Sequence, residues 1–328
     1  MSQNILEVSE LTVKFKSKKS SLSVVDNVSF SLKEGETLGI VGESGSGKSV
    51  TSLSIMGLLP TSNGWIDKGT IDFKGENLVE FSKNALRKIR GKDISMIFQE
   101  PMTSLNPAYK IGNQIMESLI IHEKLAKKAA RQKAIELLNR VEIPRAEEIM
   151  DSYPHQLSGG MRQRVMIAIA LSCNPKLLIA DEPTTALDVT IQAQILELMK
   201  KLKDEYHTSI ILISHDLGVI AEMCDRVVVM YAGKIVEEGP VVEIFRNPQH
   251  PYTEGLLKSI PVLRQKVDKL YAIKGSVPTP DQMPTGCRFA PRCERAMEKC
   301  WNEEPTVTEV SNSHYANCWL KKEEVKTS

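Results

Sequence analysis

Residues 42–49 read Gly-Glu-Ser-Gly-Ser-Gly-Lys-Ser and match the pattern G-x-x-x-x-G-K-[ST] at every fixed position. In this pattern glycines let successive backbone N–H groups point at phosphate oxygens, and the following helix presents its positive end to the same anion. The apolar run 38–41 predicts a buried strand before the loop, and a helix is predicted from Lys48 to the break at 57–60. The motif therefore predicts a strand–loop–helix unit of an α/β fold that grips the triphosphate of ATP. The expected contacts come from Gly42, Ser44, Gly45, Ser46, Gly47, Lys48, Ser49 and Val50.

A second apolar run, residues 177–180, ends in two adjacent acids, Asp181 and Glu182. The C-terminal edge of a buried strand is where an α/β sheet places a metal ligand. Because side chains alternate along a strand, the two acids face different directions and can have different roles. We expect Asp181 to hold Mg²⁺ through water, the Ser49 hydroxyl to coordinate the same ion, and Glu182 to polarise the attacking water. Alone, a strand ending in Asp-Glu is a weak signal, but downstream of a phosphate loop it becomes a strong one.

The rest of the chain alternates strand and helix patterns. Residues 5–73 contain short β-rich runs, which predict an N-terminal antiparallel β portion, and 94–98 predicts a strand. Between 101 and 174 the period becomes helical, with predicted helices at 111–121, 126–141 and 160–172. Strands at 177–180, 210–213 and 227–230 with a helix at 191–206 predict a parallel sheet flanked by helices, and 101–174 is interpreted as an inserted helical subdomain. The predicted domains are 1–239 and a C-terminal extension, 240–328, which is punctuated by proline and poor in periodicity.

Charge and hydrophobicity exclude several classes of protein. Lys and Arg number 42 against 41 Asp and Glu, a net charge of +1, so the chain lacks the basic surface of a dedicated nucleic-acid binder. The N-terminus lacks the basic-then-apolar pattern of a secretory signal. Apolar runs such as 165–171 fall short of the roughly 18 residues that cross a bilayer. We expect the chain to be soluble by itself and to reach a membrane only through a partner.

Four of the six cysteines crowd into the C-terminal extension, whereas Cys173 and Cys224 stand alone and are expected to be small buried residues. Without an export signal, disulfides are the weaker explanation. The spacing lacks the C-x₂-C knuckle of common zinc modules, and four thiolates suit either an iron–sulfur cluster or a tetrahedral zinc ion. Free thiols or disulfides remain open alternatives, and His314 is expected to be an ordinary surface residue. The candidate ligands are Cys287, Cys293, Cys300 and Cys318.

Residues 157–164, Leu-Ser-Gly-Gly-Met-Arg-Gln-Arg, resemble the signature loop of ABC-type ATPases. The other marks of that family appear in order. Gln99 resembles the glutamine of the glutamine loop, Ala186-Leu187-Asp188 the D-loop, and His215 the switch histidine. Phe15 lies where the family usually has an aromatic residue that stacks on adenine, although an ordinary strand phenylalanine explains it equally well. The resemblance covers residues 5–239, with one departure: Met161 replaces the glutamine that often closes the signature.

The resemblance implies a mechanism in a dimer of ATPase subunits. The signature loop of one subunit, through Ser158, Gly159 and Gly160, closes on the γ-phosphate that the other subunit's phosphate loop holds, with Asp188 beside it. His215 would bond the γ-phosphate, and Gln99 would sense that phosphate or Mg²⁺ and pass closure to the helical subdomain. That subdomain is where the family docks its membrane-spanning partner. Independently of the resemblance, Ser158 is expected to cap a helix that starts at residue 160.

A narrower similarity concerns the ATPase subunits of dipeptide and oligopeptide importers. It rests on residues 101–107, 247–253 and 286–293. Such importers imply a second ATPase subunit, homologous or a second copy, two membrane-spanning permease subunits and an extracytoplasmic peptide-binding protein. They also imply a location at the cytoplasmic face of the cell membrane and a 4Fe–4S cluster on the four cysteines, with zinc as the alternative.

Two other functions compete with an importer ATPase. A soluble ABC-type ATPase acting on nucleic acid would place a long coiled coil between phosphate loop and signature, but only roughly 110 residues without heptads separate Lys48 from Ser158. Ribosome-acting relatives generally carry two ATPase modules, and one is found here. A metal-binding regulator with a vestigial nucleotide site is disfavoured because Lys48, Asp181, Glu182 and His215 are all present.

Overall fold

The computed structural model describes residues 3–16, 21–99, 104–185, 187–260, 271–279 and 282–321. The chain divides into two compact units that alternate along the sequence. The first comprises 1–5, 33–36 and 80–213, and the second 6–32, 37–79 and 214–328.

The strands are β1 (Asn4–Lys16), β2 (Ser21–Lys33), β3 (Thr37–Val41), β4 (Gly64–Phe73), β5 (Glu76–Asn77), β6 (Ile94–Ile97), β7 (Leu177–Asp181), β8 (Ser209–Ile213), β9 (Arg226–Tyr231), β10 (Lys234–Pro240), β11 (Thr308–Ser311) and β12 (His314–Ala316). The helices are α1 (Lys48–Ile55), α2 (Lys83–Ile89), α3 (Ile111–His122), α4 (Lys127–Arg140), α5 (Ala146–Ile149), α6 (Gly159–Leu171), α7 (Val189–Tyr206), α8 (Leu217–Met223), α9 (Val241–Arg246), α10 (Pro251–Lys258) and α11 (Glu298–Asn302).

The second unit contains two sheets. Strands β1, β2, β4 and β5 form a sheet in the order β2–β1–β4–β5, with β1 antiparallel to β4. This agrees with the antiparallel β portion predicted at the N-terminus. The other sheet runs β11–β12–β10–β9–β3, in which β3 and β9 are parallel and the remaining pairs antiparallel. All five residues of β3 are buried, as expected for a central strand that is covered on both faces.

The first unit is built on the parallel strands β6, β7 and β8, in that order. Helices α3, α4 and α6 pack against one another in this unit. Their buried apolar residues recur at helical spacing, for example Ile111, Ile115 and Leu119 in α3. Strand β7 is buried along its whole length, so its carboxyl end emerges from the core with Asp181 as its last residue.

Most predicted elements are present, with ends shifted by one to three residues. The helix predicted to start at 191 begins at Val189, because Asp188 caps it. The proline-rich extension has more regular structure than its weak periodicity predicted: α9, α10 and α11 are helical, and β12 pairs with β10. That pairing adds the extension to the edge of a sheet, where backbone hydrogen bonds order it without strong sequence periodicity. The domain boundaries at 101, 174 and 239 stay predictions.

Candidate ATP site and cysteine cluster

The phosphate loop, residues 42–49, joins β3 to the first turn of α1. A Cβ atom at position 42 would lie 2.1 Å from the carbonyl oxygen of Met230, so a larger residue does not fit. Gly47 caps α1 with φ at 99°, a left-handed conformation that favours glycine. Lys48 is 6% exposed, and its Nζ donates to the carbonyl oxygens of Gly42 at 2.7 Å and Glu43 at 3.2 Å. The loop is therefore curled around the lysine ammonium.

The remaining loop residues fit an anion. Ser46 is 1% exposed, and its Oγ has no hydrogen-bond partner among the described residues. Such buried hydroxyls normally have a partner, and a phosphate oxygen would supply one here. Ser44, Gly45 and Ser49 are exposed, and Val50 is half-buried. The loop thus presents a buried hydroxyl, a lysine and a helix N-terminus, groups that suit an anion, and its contacts with ATP stay a prediction.

Glu182, in the first unit, is held by two side chains. Its Oε2 accepts from Gln99 Nε2 at 2.9 Å and from Thr185 Oγ1 at 3.0 Å. Its backbone N–H donates to the carbonyl of Ile213 at 2.9 Å, and its φ of 49° is left-handed. Residues in such sparsely populated conformations cluster at functional sites. Asp181, one residue earlier, is only 5% exposed. The structure therefore brings Gln99 and Glu182 together and separates the environments of the two acids.

His215 and Phe15 belong to the second unit. His215 is exposed, and Asp216 after it caps α8 by accepting from Gly218 N at 2.8 Å. Phe15 is half-buried and pairs with Gly64 across β1 and β4. Its ring lies over that glycine, since a Cβ at position 64 would be 2.9 Å from Phe15 Cε1. This packing accounts for a phenylalanine at position 15, and its contact with adenine stays a prediction.

The signature loop and the D-loop meet in the first unit. Ser158 caps α6, its Oγ accepting from Met161 N at 3.3 Å, which confirms the predicted cap. Ser158, Gly159, Gly160, Leu187 and Asp188 line one open groove of about 490 Å³. A Cβ at position 160 would lie 2.9 Å from Ile191 Cγ2 on α7, so the two helix starts touch. Ala186, the first residue of the D-loop, lies outside the described residues, as do positions 101–103 of the predicted subgroup motif.

The four C-terminal cysteines line a single small cavity. All six cysteines of the chain are free thiols. Burial raises the pKa of the Cys287 thiol to about 12, and the neighbouring thiols of Cys300, Cys318 and Cys293 add to that effect. Burial likewise raises the pKa of Cys293 and of Cys318. A bound cation would offset this cost of ionising crowded thiols, so the donor set suits a soft metal or a cluster. In the described part of the chain, however, no three His, Cys, Asp or Glu side chains are grouped closely enough to hold a metal ion.

His314 corrects one expectation. Its side chain is fully buried rather than on the surface, with Nε2 2.8 Å from Glu237 Oε1. Glu237 also accepts from the backbone N–H groups of Gln249 at 2.7 Å and His250 at 2.8 Å. One buried carboxylate on β10 thus joins β12 to the start of α10. Among the isolated cysteines, Cys224 is buried as expected and Cys173 is half-buried.

Sequence comparison assigns these features to one family. The profile described as ABC transporter matches residues 25–185, and the profile described as oligopeptide/dipeptide transporter, C-terminal region, matches residues 236–300. The chain is 60% identical over 320 residues to the oligopeptide transport ATP-binding protein AppD of Bacillus subtilis (strain 168), covering 98% of each chain. The chain belongs to the ATP-binding subunits of oligopeptide and dipeptide ABC transporters.

Other members and solved structures agree with this family. The oligopeptide transport ATP-binding protein OppD of Bacillus subtilis (strain 168) is 55% identical over 96% of this chain and 88% of its own. The ATP-binding cassette MJ0796, solved as a dimer in a post-hydrolysis state bound to ADP and Pi, is 31% identical with a TM-score of 0.65. That similarity covers 72% of this chain and 98% of the cassette. As a family member, the chain is an ATP-hydrolysing subunit of an ABC transporter.

The family motifs did not identify every residue at the site. Thr185, three positions after Glu182, holds the same carboxylate oxygen as Gln99. It follows the two acids directly in the run 181–188, so its nearness to them was the available signal. In the described part of the chain no helix combines the length and apolar character that crossing a bilayer requires.

Proposed function

We propose that this chain binds Mg-ATP through residues 42–49 and hydrolyses it to drive import of oligopeptides or dipeptides across a membrane. The observation that carries the proposal is the curled phosphate loop, which holds a buried lysine and a buried serine hydroxyl without a hydrogen-bond partner among the described residues. This loop lies in a chain that is 60% identical to an oligopeptide transport ATP-binding protein. The full-length similarity supports the peptide transporter rather than a nucleic-acid ATPase.

The phosphate loop would grip the triphosphate. Lys48 would leave the carbonyls of Gly42 and Glu43 and bind the β- and γ-phosphates. The Ser46 hydroxyl would donate a hydrogen bond to a phosphate oxygen, and the N–H groups at the start of α1 would face the same anion. The other proposed contacts in the loop are Ser44, Gly45, Gly47, Ser49 and Val50, with Phe15 stacking on adenine.

Hydrolysis would depend on Glu182 and His215. Glu182 would orient the attacking water as general base, in an orientation fixed by its hydrogen bonds from Gln99 and Thr185. His215 would donate to the γ-phosphate as charge builds up on it. The proposal that Glu182 and His215 act in the same reaction rests on family membership. Oxygen ligands suit magnesium, which would be held by Ser49, Gln99 and Asp181 and would neutralise phosphate charge.

The signature groove would serve the nucleotide of another subunit. Ser158, Gly159 and Gly160 present the positive end of α6 to an open groove that Asp188 also lines. An anion held by a second ATPase subunit, homologous or a second copy, fits such a groove. The solved cassette MJ0796 is dimeric, which supports this arrangement.

The remaining partners follow from the transporter family. We propose two membrane-spanning permease subunits that contact the helical region 101–174, and an extracytoplasmic peptide-binding protein that acts through them. The chain would then lie at the cytoplasmic face of the membrane. It would bind no nucleic acid, which agrees with its net charge of +1.

The four clustered thiols would hold a 4Fe–4S cluster, with a single zinc ion as the alternative. Their convergence on one cavity supports a bound cation, although the described side chains are not grouped as closely as a metal ion requires. We expect anaerobically purified protein to be brown and to contain iron and sulfide. Cys300→Ser should lose both, whereas the control Cys173→Ser should keep them. A colourless protein with one zinc per chain would replace the cluster by zinc, and one with neither would reject the site.

The catalytic assignment is tested by Glu182→Gln. We expect this variant to bind ATP normally and to lose ATP hydrolysis about 100-fold or more, because an amide cannot act as general base. It should also accumulate as an ATP-bound dimer, which size-exclusion chromatography measures. Glu205→Gln, an exposed residue on α7 that pairs with Arg140, is the matched control and should hydrolyse ATP normally. Normal turnover by Glu182→Gln would refute its role.

A further inference from the structure

An arginine of the C-terminal extension holds the second residue of the phosphate loop. Arg292 Nη1 lies 2.7 Å from Glu43 Oε2, and Nη2 lies 3.1 Å from Oε1, so the pair is bidentate. The arginine side chain is 5% exposed and the glutamate side chain 29%. Bidentate pairs with a buried partner fix geometry more strongly than surface ion pairs do. The carboxylate of Glu43 is therefore both neutralised and held in one orientation.

A second residue of the extension holds the backbone at the same position. The hydroxyl of Tyr252, on α10, accepts the N–H of Glu43 at 2.8 Å. Tyr252 is fully buried, and burial raises the pKa of its hydroxyl, which stays neutral. Both the main chain and the side chain of Glu43 are thus fixed by residues more than 200 positions away, at sequence separations of 209 and 249.

The guanidinium of Arg292 is also held by groups other than Glu43. Its Nε donates to the carbonyl of Lys274 at 3.0 Å, and Nη2 donates to that of Ile273 at 3.3 Å. The group lies 5.7 Å from the ring centre of Tyr231, the last residue of β9. An arginine held in this way loses little further freedom when it binds a carboxylate.

Aromatic packing connects the same residues to the core. The rings of Tyr231 and Tyr252 lie 4.7 Å apart, and Phe289 lies 5.2 Å from the first and 5.4 Å from the second. Phe289 and Arg292 share a short turn, in which Arg292 N donates to Phe289 O at 2.9 Å. The turn that carries Arg292 is therefore anchored on the strand next to β3, from which the phosphate loop emerges.

A carboxylate in this loop is electrostatically unfavourable for the expected ligand. Glu43 lies between Gly42 and the exposed residues that would contact phosphate, and a triphosphate brings up to four negative charges. An unpaired carboxylate there would repel the nucleotide. Pairing with Arg292 reduces that repulsion.

We propose that Arg292 and Tyr252 are positioning residues for ATP binding, through which the C-terminal extension sets the conformation and charge of the phosphate loop at Glu43. This inference rests on the proposed role of residues 42–49. It assigns the extension a direct effect on nucleotide affinity, in addition to any group that its cysteines hold.

The test is a double-mutant cycle on the full chain, read by the dissociation constant for Mg-ATP. We expect Arg292→Met to weaken binding about tenfold, equivalent to about 1.4 kcal/mol, because it exposes the carboxylate. Glu43→Gln should weaken binding by less than about threefold, since it loses the bidentate geometry but also removes the repelling charge. The double variant should then bind as Glu43→Gln does. Arg292→Lys should recover part of the affinity, because lysine keeps the charge but not the bidentate geometry.

Further measurements separate positioning from general stability. Arg292→Met should speed hydrogen exchange of the backbone amides in 43–47. Tyr252→Phe should speed the exchange of the Glu43 amide. It should also weaken ATP binding about threefold, the size expected for the loss of one neutral hydrogen bond. Arg246→Met, which removes an exposed charge from α9, should leave the dissociation constant unchanged.

Several outcomes would overturn the inference. Unchanged affinity in Arg292→Met would do so. The inference would also fail if Arg292→Met weakened ATP binding equally in the wild-type chain and in the Glu43→Gln variant. The arginine would then act by another route, such as folding. Lys48→Ala in the same assay tests the phosphate loop itself. If that variant binds ATP normally, the proposed ATP site fails, independently of the result for Arg292.

Discussion

Two helix starts in this chain are proposed to face phosphate, and they are stabilised in opposite ways. The phosphate loop before α1 is fixed by distant residues: Met230 closes over Gly42, and Arg292 and Tyr252 hold Glu43. The signature loop before α6 is fixed locally, with Ser158 capping its own helix. The phosphate loop therefore depends on tertiary structure, whereas the signature loop takes its helix cap from its own sequence and opens onto a groove.

The two loops apply one physical principle to two different proposed tasks. Both loops use the positive end of a helix, which favours an anion. A loop that must hold a triphosphate by itself binds better when it is already ordered before the ligand arrives, because less freedom is then lost on binding. A loop that completes a site on another subunit needs an open face, and a self-sufficient cap keeps its helix stable while that face is empty.

The largest expected effect is that of Lys48→Ala, which removes the buried ammonium from the phosphate loop. We expect ATP binding to weaken about 100-fold or more, since a charged group that contacts phosphate directly is lost. Isothermal titration of the isolated subunit measures this. The matched change Lys203→Ala on α7 should leave binding intact. Equal affinities for both variants would contradict the assignment of the loop.

Gly42→Ala and Gly159→Ala compare steric closure at the two loops. The added methyl at 42 would meet the Met230 carbonyl at 2.1 Å, while at 159 the nearest side-chain atom is Leu187 Cδ2 at 3.9 Å. We expect Gly42→Ala to lower the free energy of unfolding by about 2 kcal/mol, as overpacking does, and Gly159→Ala to change it by less than about 0.5 kcal/mol. Chemical denaturation measures both. Equal costs would show that the signature loop is as closed as the phosphate loop.

Ser158→Ala tests the local cap, with a smaller expected effect on stability than Gly42→Ala. Loss of the N-cap should lower the free energy of unfolding by about 1 kcal/mol. ATP affinity of the isolated subunit should not change, because the signature is proposed to act on another subunit's nucleotide, while hydrolysis by the assembled transporter should fall. Ser158→Thr, which retains a capping hydroxyl, should recover the stability. A loss of ATP affinity in Ser158→Ala would contradict the comparison.

Local patterns predicted most of the fold and of the candidate site. Apolar runs gave β3, β7 and β8, and the helix cap at Ser158 follows from residue type, whereas the cap at Asp188 was not predicted and its helix begins two residues earlier than expected. Sequence reasoning failed in the extension, where His314 is buried against Glu237 rather than exposed, and where β12 is ordered by pairing with β10. These contacts join residues 77 positions apart, so no local period records them.

The family and the chemical groups of the candidate site follow from the sequence alone: a glycine-rich loop with Lys48, a strand that ends at Asp181 with Glu182 directly after it, and a signature that marks the family. Those features are local, since neighbouring residues fix the course of a loop or the cap of a helix. The contacts of Glu43 with Arg292 and Tyr252 form only in the folded chain. An ion pair between residues 249 positions apart depends on how strands and turns fold around a shared core, and that arrangement is not encoded in either neighbourhood.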